Sequence, residues 1–224
     1  SPIRKLVPFA ENAKKNGIKV LHLNIGQPDI SPPKNVINKI NNFKIKSIEY
    51  SHSAGHQKYR QKLSKYYNKI AKNISYEDIL VTTGGSEALN ILLNTICDPG
   101  DEIIIPDPYY ANYNGFSNAT NVTITPILCG IKDGFQLPSI KKFESKINKK
   151  TKAILICNPG NPTGAVYDIK ALNALSRIVK KHDIFLIADE VYREFIYDNV
   201  KHHSILELKN ISKNAIVVDS TSKR

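Results

Sequence analysis

The sequence predicts an α/β fold with a mostly parallel central sheet and flanking helices. Three observations predict it. Short β-rich apolar runs recur at Ile79–Thr82, Glu102–Ile105, Val122–Ile127, Ala153–Cys157, Ile184–Ala188 and Ala215–Val218. They read as continuous apolar segments rather than as an alternation, the pattern of strands covered on both faces. Helical periodicities separate several of them, and polar, glycine-containing turns follow their ends.

Taken in order, Val36, Ile37, Ile40 and Phe43 recur at helical spacing after Pro32-Pro33, which predicts a short amphipathic helix. Tyr59, Leu63, Tyr66, Tyr67 and Ile70 predict a second helix on a strongly basic segment. Ser86–Ile96 predicts a third, and the stretch from Ile169 to Lys181 a fourth, with Leu172, Leu175, Ile178 and Val179 on one face. Asp98-Pro99-Gly100-Asp101 and Lys132-Asp133-Gly134 are turns by composition. No internal repeat or low-complexity linker interrupts the chain.

The bulk numbers narrow the function classes. At 224 residues, 41% hydrophobic and 23% charged, the chain reads as an ordinary globular protein able to bury a core. No apolar stretch reaches about 18 residues, so no membrane span is expected. The N-terminal Ser1-Pro2-Ile3-Arg4-Lys5 leads into no signal-peptide apolar region. Cys97, Cys129 and Cys157 are few, odd in number and far apart, which predicts reduced thiols in a cytoplasmic setting. The net charge of +12 is spread through pairs such as Lys14-Lys15 and Lys180-Lys181, with no run of five like charges. It reads as a solvated surface, and no nucleic-acid partner is expected. The sequence contains no methionine and stops one residue after Lys223. Both facts predict a truncated or gapped copy of a longer protein.

Ligands of open α/β sheets bind at the carboxyl ends of the strands, and the unusual residues sit there. Thr82-Thr83-Gly84-Gly85-Ser86 ends a run and opens a helix, offering free N–H groups and a positive dipole end to one phosphate. It is no Walker loop, since no Gly-Lys-Ser/Thr follows at the required spacing. Asn158-Pro-Gly-Asn-Pro-Thr-Gly164 is more specific, because two prolines and its glycines set the backbone and aim an asparagine side chain. Asp189 emerges from a buried strand end, where an isolated aspartate would read as a helix cap. Lys223 follows Val217-Val218-Asp219-Ser220 and, alone, would read as solvated surface.

Together these segments resemble the aspartate aminotransferase family of fold-type I pyridoxal-phosphate enzymes, class I/II. The resemblance runs in order through Gly26-Gln-Pro-Asp29, Tyr50 with Ala54-Gly55, Gly84-Gly-Ser-Glu-Ala-Leu89, Pro108-Tyr-Tyr110, the Asn-Pro-Gly-Asn-Pro-Thr-Gly loop, Asp189-Glu-Val-Tyr192 and Ser220-Thr-Ser-Lys223. It implies the large domain of such an enzyme over residues 45–224, truncated after the Schiff-base lysine. Residues 1–44 are then a segment that packs with an absent smaller domain. The implied cofactor is pyridoxal 5'-phosphate, with no metal.

By the same resemblance, Lys223 holds the cofactor and shuttles a proton. Asp189 partners the pyridine nitrogen. Tyr192 and Asn161 bond the phenolic oxygen, and Tyr110 stacks on the ring. Gly85, Ser86 and Ser220 hold the phosphate, while Gly26 and Asn161 approach the substrate carboxylate. Tyr50 is implied to reach across a homodimer interface to the neighbouring subunit's phosphate. The implied reaction moves an amino group from an amino acid, aspartate or aromatic as first choice, to a 2-oxo acid such as 2-oxoglutarate. A C–S lyase on the same fold, or the sensing domain of a transcription regulator, are the alternatives. The family's arginines for phosphate and α-carboxylate lie beyond Lys223 and outside these 224 residues, so the chain by itself is not expected to transaminate.

Overall fold

The computed structural model describes residues 2–23, 26, 29–209 and 211–223. Its contacts divide the chain into two compact units, residues 1–51 and 52–224.

The first unit holds two helices, α1 (Val7–Lys15) and α2 (Lys34–Asn41), neither of which buries a residue. Helix α2 follows Pro33, which supplies an extended backbone at the cap and cannot itself extend a helix backward. The apolar face predicted for it is real but open to solvent: Val36, Ile37 and Ile40 are all exposed.

The second unit is built in chain order from α3 (Gln57–Tyr67), α4 (Gly85–Ile96), β1 (Glu102–Asp107), α5 (Tyr113–Ala119), β2 (Thr123–Leu128), α6 (Ile140–Glu144), β3 (Thr151–Cys157), α7 (Ile169–His182), β4 (Phe185–Asp189) and β5 (Ala215–Val218). The five strands form one sheet in the order β2-β1-β3-β4-β5, and every pair is parallel. Strand side chains alternate between faces, so the sheet feeds two cores. Ile104, Ile154, Ile156, Leu186 and Ala188 join α7 and Phe143 of α6 on one side. Ile103, Ile105, Ala153, Leu155 and Ile187 join Leu89 and Leu93 of α4 and Tyr113 of α5 on the other. Covering both faces explains why the strands read as unbroken apolar runs.

Helix α7 shows how local and tertiary signals agree. The Asp168 side chain accepts from the Ala171 N–H at 2.7 Å and caps it, Leu172, Leu175, Ile178 and Val179 are buried, and Asp183 ends it in the left-handed conformation.

One expected strand is absent. Among the described residues, Ile79–Thr82 pairs with no strand. Its backbone groups are taken locally: the Val81 N–H donates to Ala54 at 3.0 Å, and Arg60 Nε donates to the Ile79 carbonyl at 2.8 Å. Between this segment and β5 lies a cleft of about 1160 Å³. A run with strand propensity becomes a strand only when another backbone pairs with it. Among the described residues, no helix is long and apolar enough to cross a membrane.

Candidate active site

The strand order reverses between β1 and β3, so the loops that follow these two strands diverge and open a crevice at the carboxyl edge. The register places Cys157, Asp189 and Val218 in one row across β3, β4 and β5, and the polar residues start from it. Asp189 ends β4 with 6% of its surface exposed. Its Oδ2 accepts from the Tyr113 hydroxyl at 2.7 Å, and its Oδ1 accepts from the Val191 N–H at 3.3 Å. Burial raises its pKa above the ordinary carboxylate value, and these two hydrogen bonds pull it part of the way back. The Tyr113 phenol is raised well above its usual value, first by burial and then by the Asp189 charge. It therefore remains a neutral donor across the accessible pH range.

Beyond Asp189 the chain turns and carries Tyr192 toward Asn161, whose side chain acts to lower the pKa of the Tyr192 phenol. The net shift of that phenol is nevertheless upward, led by burial. Lys223, in the single turn Thr221–Lys223 after β5, places Nζ 5.8 Å from the centre of the Tyr192 ring. The lysine is exposed. The two asparagines of the proline-rich loop have different fates. Asn158 is buried, its Oδ1 accepting from the Tyr167 N–H at 3.0 Å and its Nδ2 donating to the His203 carbonyl at 3.3 Å. It is consumed in holding the loop, which leaves Asn161 for the site.

Gly84 has φ +124°, a backbone that disfavours any side chain, and it delivers the chain directly into α4. No side chain caps this helix, so its first amides keep their capacity to meet an anion. Gly85, Ser86 and Ser220 line the same cleft. Ser220 Oγ accepts from the Ser222 N–H at 3.2 Å and lies 3.0 Å from Ser222 Oγ. Tyr110 meets Tyr113 edge-on with ring centres 5.4 Å apart, and its hydroxyl accepts from Asn112 Nδ2 at 2.6 Å. Thus Tyr110, Asn161, Asp189, Tyr192, Ser220 and Lys223, with Gly85 and Ser86, all sit at the carboxyl edge of this sheet. Gly26 and Tyr50 belong to the first unit, where both are exposed. Gln27 and Pro28 of the Gly26–Asp29 motif lie outside the described residues.

Sequence reasoning missed a buried charge cluster beneath the site. Glu190 accepts from Arg193 Nη2 at 2.9 Å, from Ser204 Oγ at 2.9 Å and from the Ile205 N–H at 3.0 Å. Burial pushes its pKa up to about 7, against the Arg193 charge that acts to lower it. Arg193 Nε lies 3.7 Å from Asp219 Oδ2, and the guanidinium covers the Tyr67 ring at 4.9 Å. The cluster ties the turn carrying Tyr192 to the one carrying Ser220 and Lys223. Tyr113 was missed too; its only signal was a third tyrosine three residues after Tyr110, which by itself reads as core.

Residues 18–224 match the family model for aminotransferase class I and II. A protein of Bacillus subtilis named as an aminotransferase is 34% identical over the whole of this chain and 57% of its own length. A protein of Rickettsia prowazekii named as an aspartate/prephenate aminotransferase is 30% identical, with the same shares covered. Among solved structures, the aspartate aminotransferase of Thermotoga maritima superposes with a TM-score of 0.90 at 29% identity, over 98% of this chain and 58% of that one. The alanine aminotransferase of Pyrococcus furiosus superposes at 0.86 and 32% identity, over 97% and 56%. The chain spans a little over half the length of the relatives it matches.

Proposed function

Because the chain belongs to the aminotransferase class I and II family, we propose that the whole protein transfers an amino group from an amino acid to a 2-oxo acid using pyridoxal 5'-phosphate. The observation that carries this reading is the group at the ends of β4 and β5: a buried carboxylate at Asp189, with Lys223 and Asn161 each brought to Tyr192.

The residues fit the cofactor. Asp189 is a buried acceptor suited to a protonated ring nitrogen, and the uncapped start of α4 beside Ser220 suits a phosphate. When bound, pyridoxal phosphate supplies an electron sink for the pair left when a proton leaves the substrate's α carbon. Lys223 supplies the amine that holds the cofactor and, once released, moves that proton. Asp189 keeps the ring nitrogen charged, Tyr192 and Asn161 bond the phenolic oxygen, and Tyr110 covers the ring face. Gly85, Ser86 and Ser220 hold the phosphate, while Asn161 receives the substrate carboxylate.

Aspartate or an aromatic amino acid, with 2-oxoglutarate as acceptor, is the substrate choice; the aspartate names of several relatives support it. Residues 45–224 form the cofactor-binding large domain, and residues 1–44 pack on a smaller domain formed by chain beyond these residues. Exposed apolar side chains at Phe9, Leu23 and Phe43 support that need for cover. Three free cysteines support a reducing, cytoplasmic setting.

The test uses the full-length protein. It should turn yellow with pyridoxal phosphate, lose the colour on borohydride reduction, and then yield a labelled peptide at Lys223. Amino transfer dependent on a 2-oxo acid, rather than release of ammonia and pyruvate, should follow. Label on another lysine, or lyase products, would overturn the reading.

Tyr50 is assigned to the neighbouring subunit's phosphate, which makes the enzyme a homodimer with two shared sites. Mixing full-length Tyr50→Phe with full-length Lys223→Ala tests this. In a mixed dimer one site collects both defects and the other neither, so activity should rise above that of either variant alone. Confirmed subunit exchange without that gain places Tyr50 in its own subunit's chemistry or in none.

A further inference from the structure

We infer that Tyr113 is a positioning residue for the ring-nitrogen partner, holding the Asp189 carboxylate in place and in its charged form. This rests on the assignment of Asp189 above and adds a residue to it.

The two side chains are 76 positions apart in sequence, and both are buried, Tyr113 at 2% and Asp189 at 6% exposure. A carboxylate taken out of water is driven toward its neutral form unless donors replace the lost hydration. Asp189 shows two such donors: the Val191 N–H at 3.3 Å, which is long, and the Tyr113 hydroxyl at 2.7 Å, which is short and charge-assisted. The phenol is thus the stronger of the two.

Tyr113 is itself well held. It stands at the start of α5, packs in the core shared with α4, stacks on Tyr109 with ring centres 6.3 Å apart, and meets Tyr110 edge-on. Its hydroxyl therefore cannot swing away from the carboxylate without breaking that packing. The same ring thus braces Tyr110, read as the stacking residue, and orients Asp189, read as the ring-nitrogen partner. Because burial and the Asp189 charge keep the phenol protonated, it neither donates nor takes a proton during turnover; it acts through Asp189 alone.

The experiment compares dissociation constants of full-length protein for pyridoxal phosphate and for its 1-deaza analogue, in which carbon replaces the ring nitrogen. Wild type should prefer the natural cofactor. Tyr113→Phe deletes only the hydroxyl, and should lower that preference about tenfold, the share of one hydrogen bond to a charged group. Its affinity for the deaza analogue should be unchanged. In an Asp189→Asn background the same substitution should alter neither constant. Should the phenylalanine variant fail to fold, 3-fluorotyrosine introduced at position 113 alone makes the phenol a stronger donor of nearly equal size, and should raise the preference. An unchanged preference in either variant, or equal loss of affinity for both cofactors, would overturn the inference. A wild-type protein with no preference would instead overturn the assignment of Asp189, and this inference with it.

Discussion

Lys223→Ala in the full-length protein is expected to lower amino transfer by about two to four orders of magnitude, the range in which a positioned acid–base group contributes. The same substitution removes the amine proposed to attach the cofactor, so the yellow colour should also fail to develop. Its cost in stability should be small, within about 0.5 kcal/mol, because the lysine is exposed and occupies a single turn after β5. That contrast is what the measurement reads: turnover and absorbance collapse while the thermal midpoint stays. A variant that keeps a tenth of the wild-type rate would reduce Lys223 to a surface charge near the Tyr192 ring.

Asp189→Asn is expected to lower the rate by roughly a thousandfold, the scale of a preorganised electrostatic group acting on developing charge. The substitution is nearly isosteric. The amide oxygen still accepts from the Tyr113 hydroxyl or the Val191 N–H, so the fold should survive. What disappears is the negative charge proposed to keep the ring nitrogen protonated. Stability should change with pH in a definite direction. Burial raises the pKa of Asp189 in the folded state above its unfolded value. The stability it contributes is therefore fully present below the unfolded carboxylate pKa and is lost as pH rises through the raised folded value. The asparagine variant should lack that part of the acid-side slope in denaturant titrations of the cofactor-free protein. Turnover close to wild type would leave Asp189 as a cap on the turn after β4.

Much of this was legible because the relevant physics is local. Strands β1, β3 and β4 sit between two helical layers, so they need apolar side chains on both faces and read as unbroken Ile, Leu and Ala. Helix α7 carries its own cap at Asp168 and its own stripe at the 3.6-residue period. Helices α5 and α6 went unread. Tyr113-Asn-Gly-Phe-Ser-Asn-Ala119 holds a glycine and two asparagines, and five residues of α6 give too little period to detect. Packing of the buried Tyr113 and Phe143 makes them helices. The reverse error at Ile79–Thr82 has the same root, since strand propensity cannot pair itself.

The candidate site divides along the same line. Sequence alone picked out the polar residues that follow strands, Tyr110, Asn161, Asp189 with Tyr192, and Ser220 with Lys223, while Gly85 and Ser86 follow the unpaired run Ile79–Thr82. A parallel sheet brings the ends of its strands to one edge, so order along the chain already implied nearness in space. Tertiary structure decided what stands behind them. Arg193 reads in sequence as one more solvated cation, yet it is buried between Glu190, Asp219 and the Tyr67 ring, two of which come from distant segments. The bond from Tyr113 to Asp189 spans 76 positions and two different strand–loop units. A burial cost and the donor that offsets it exist only after the chain has folded, because desolvation belongs to the surroundings and not to the residue.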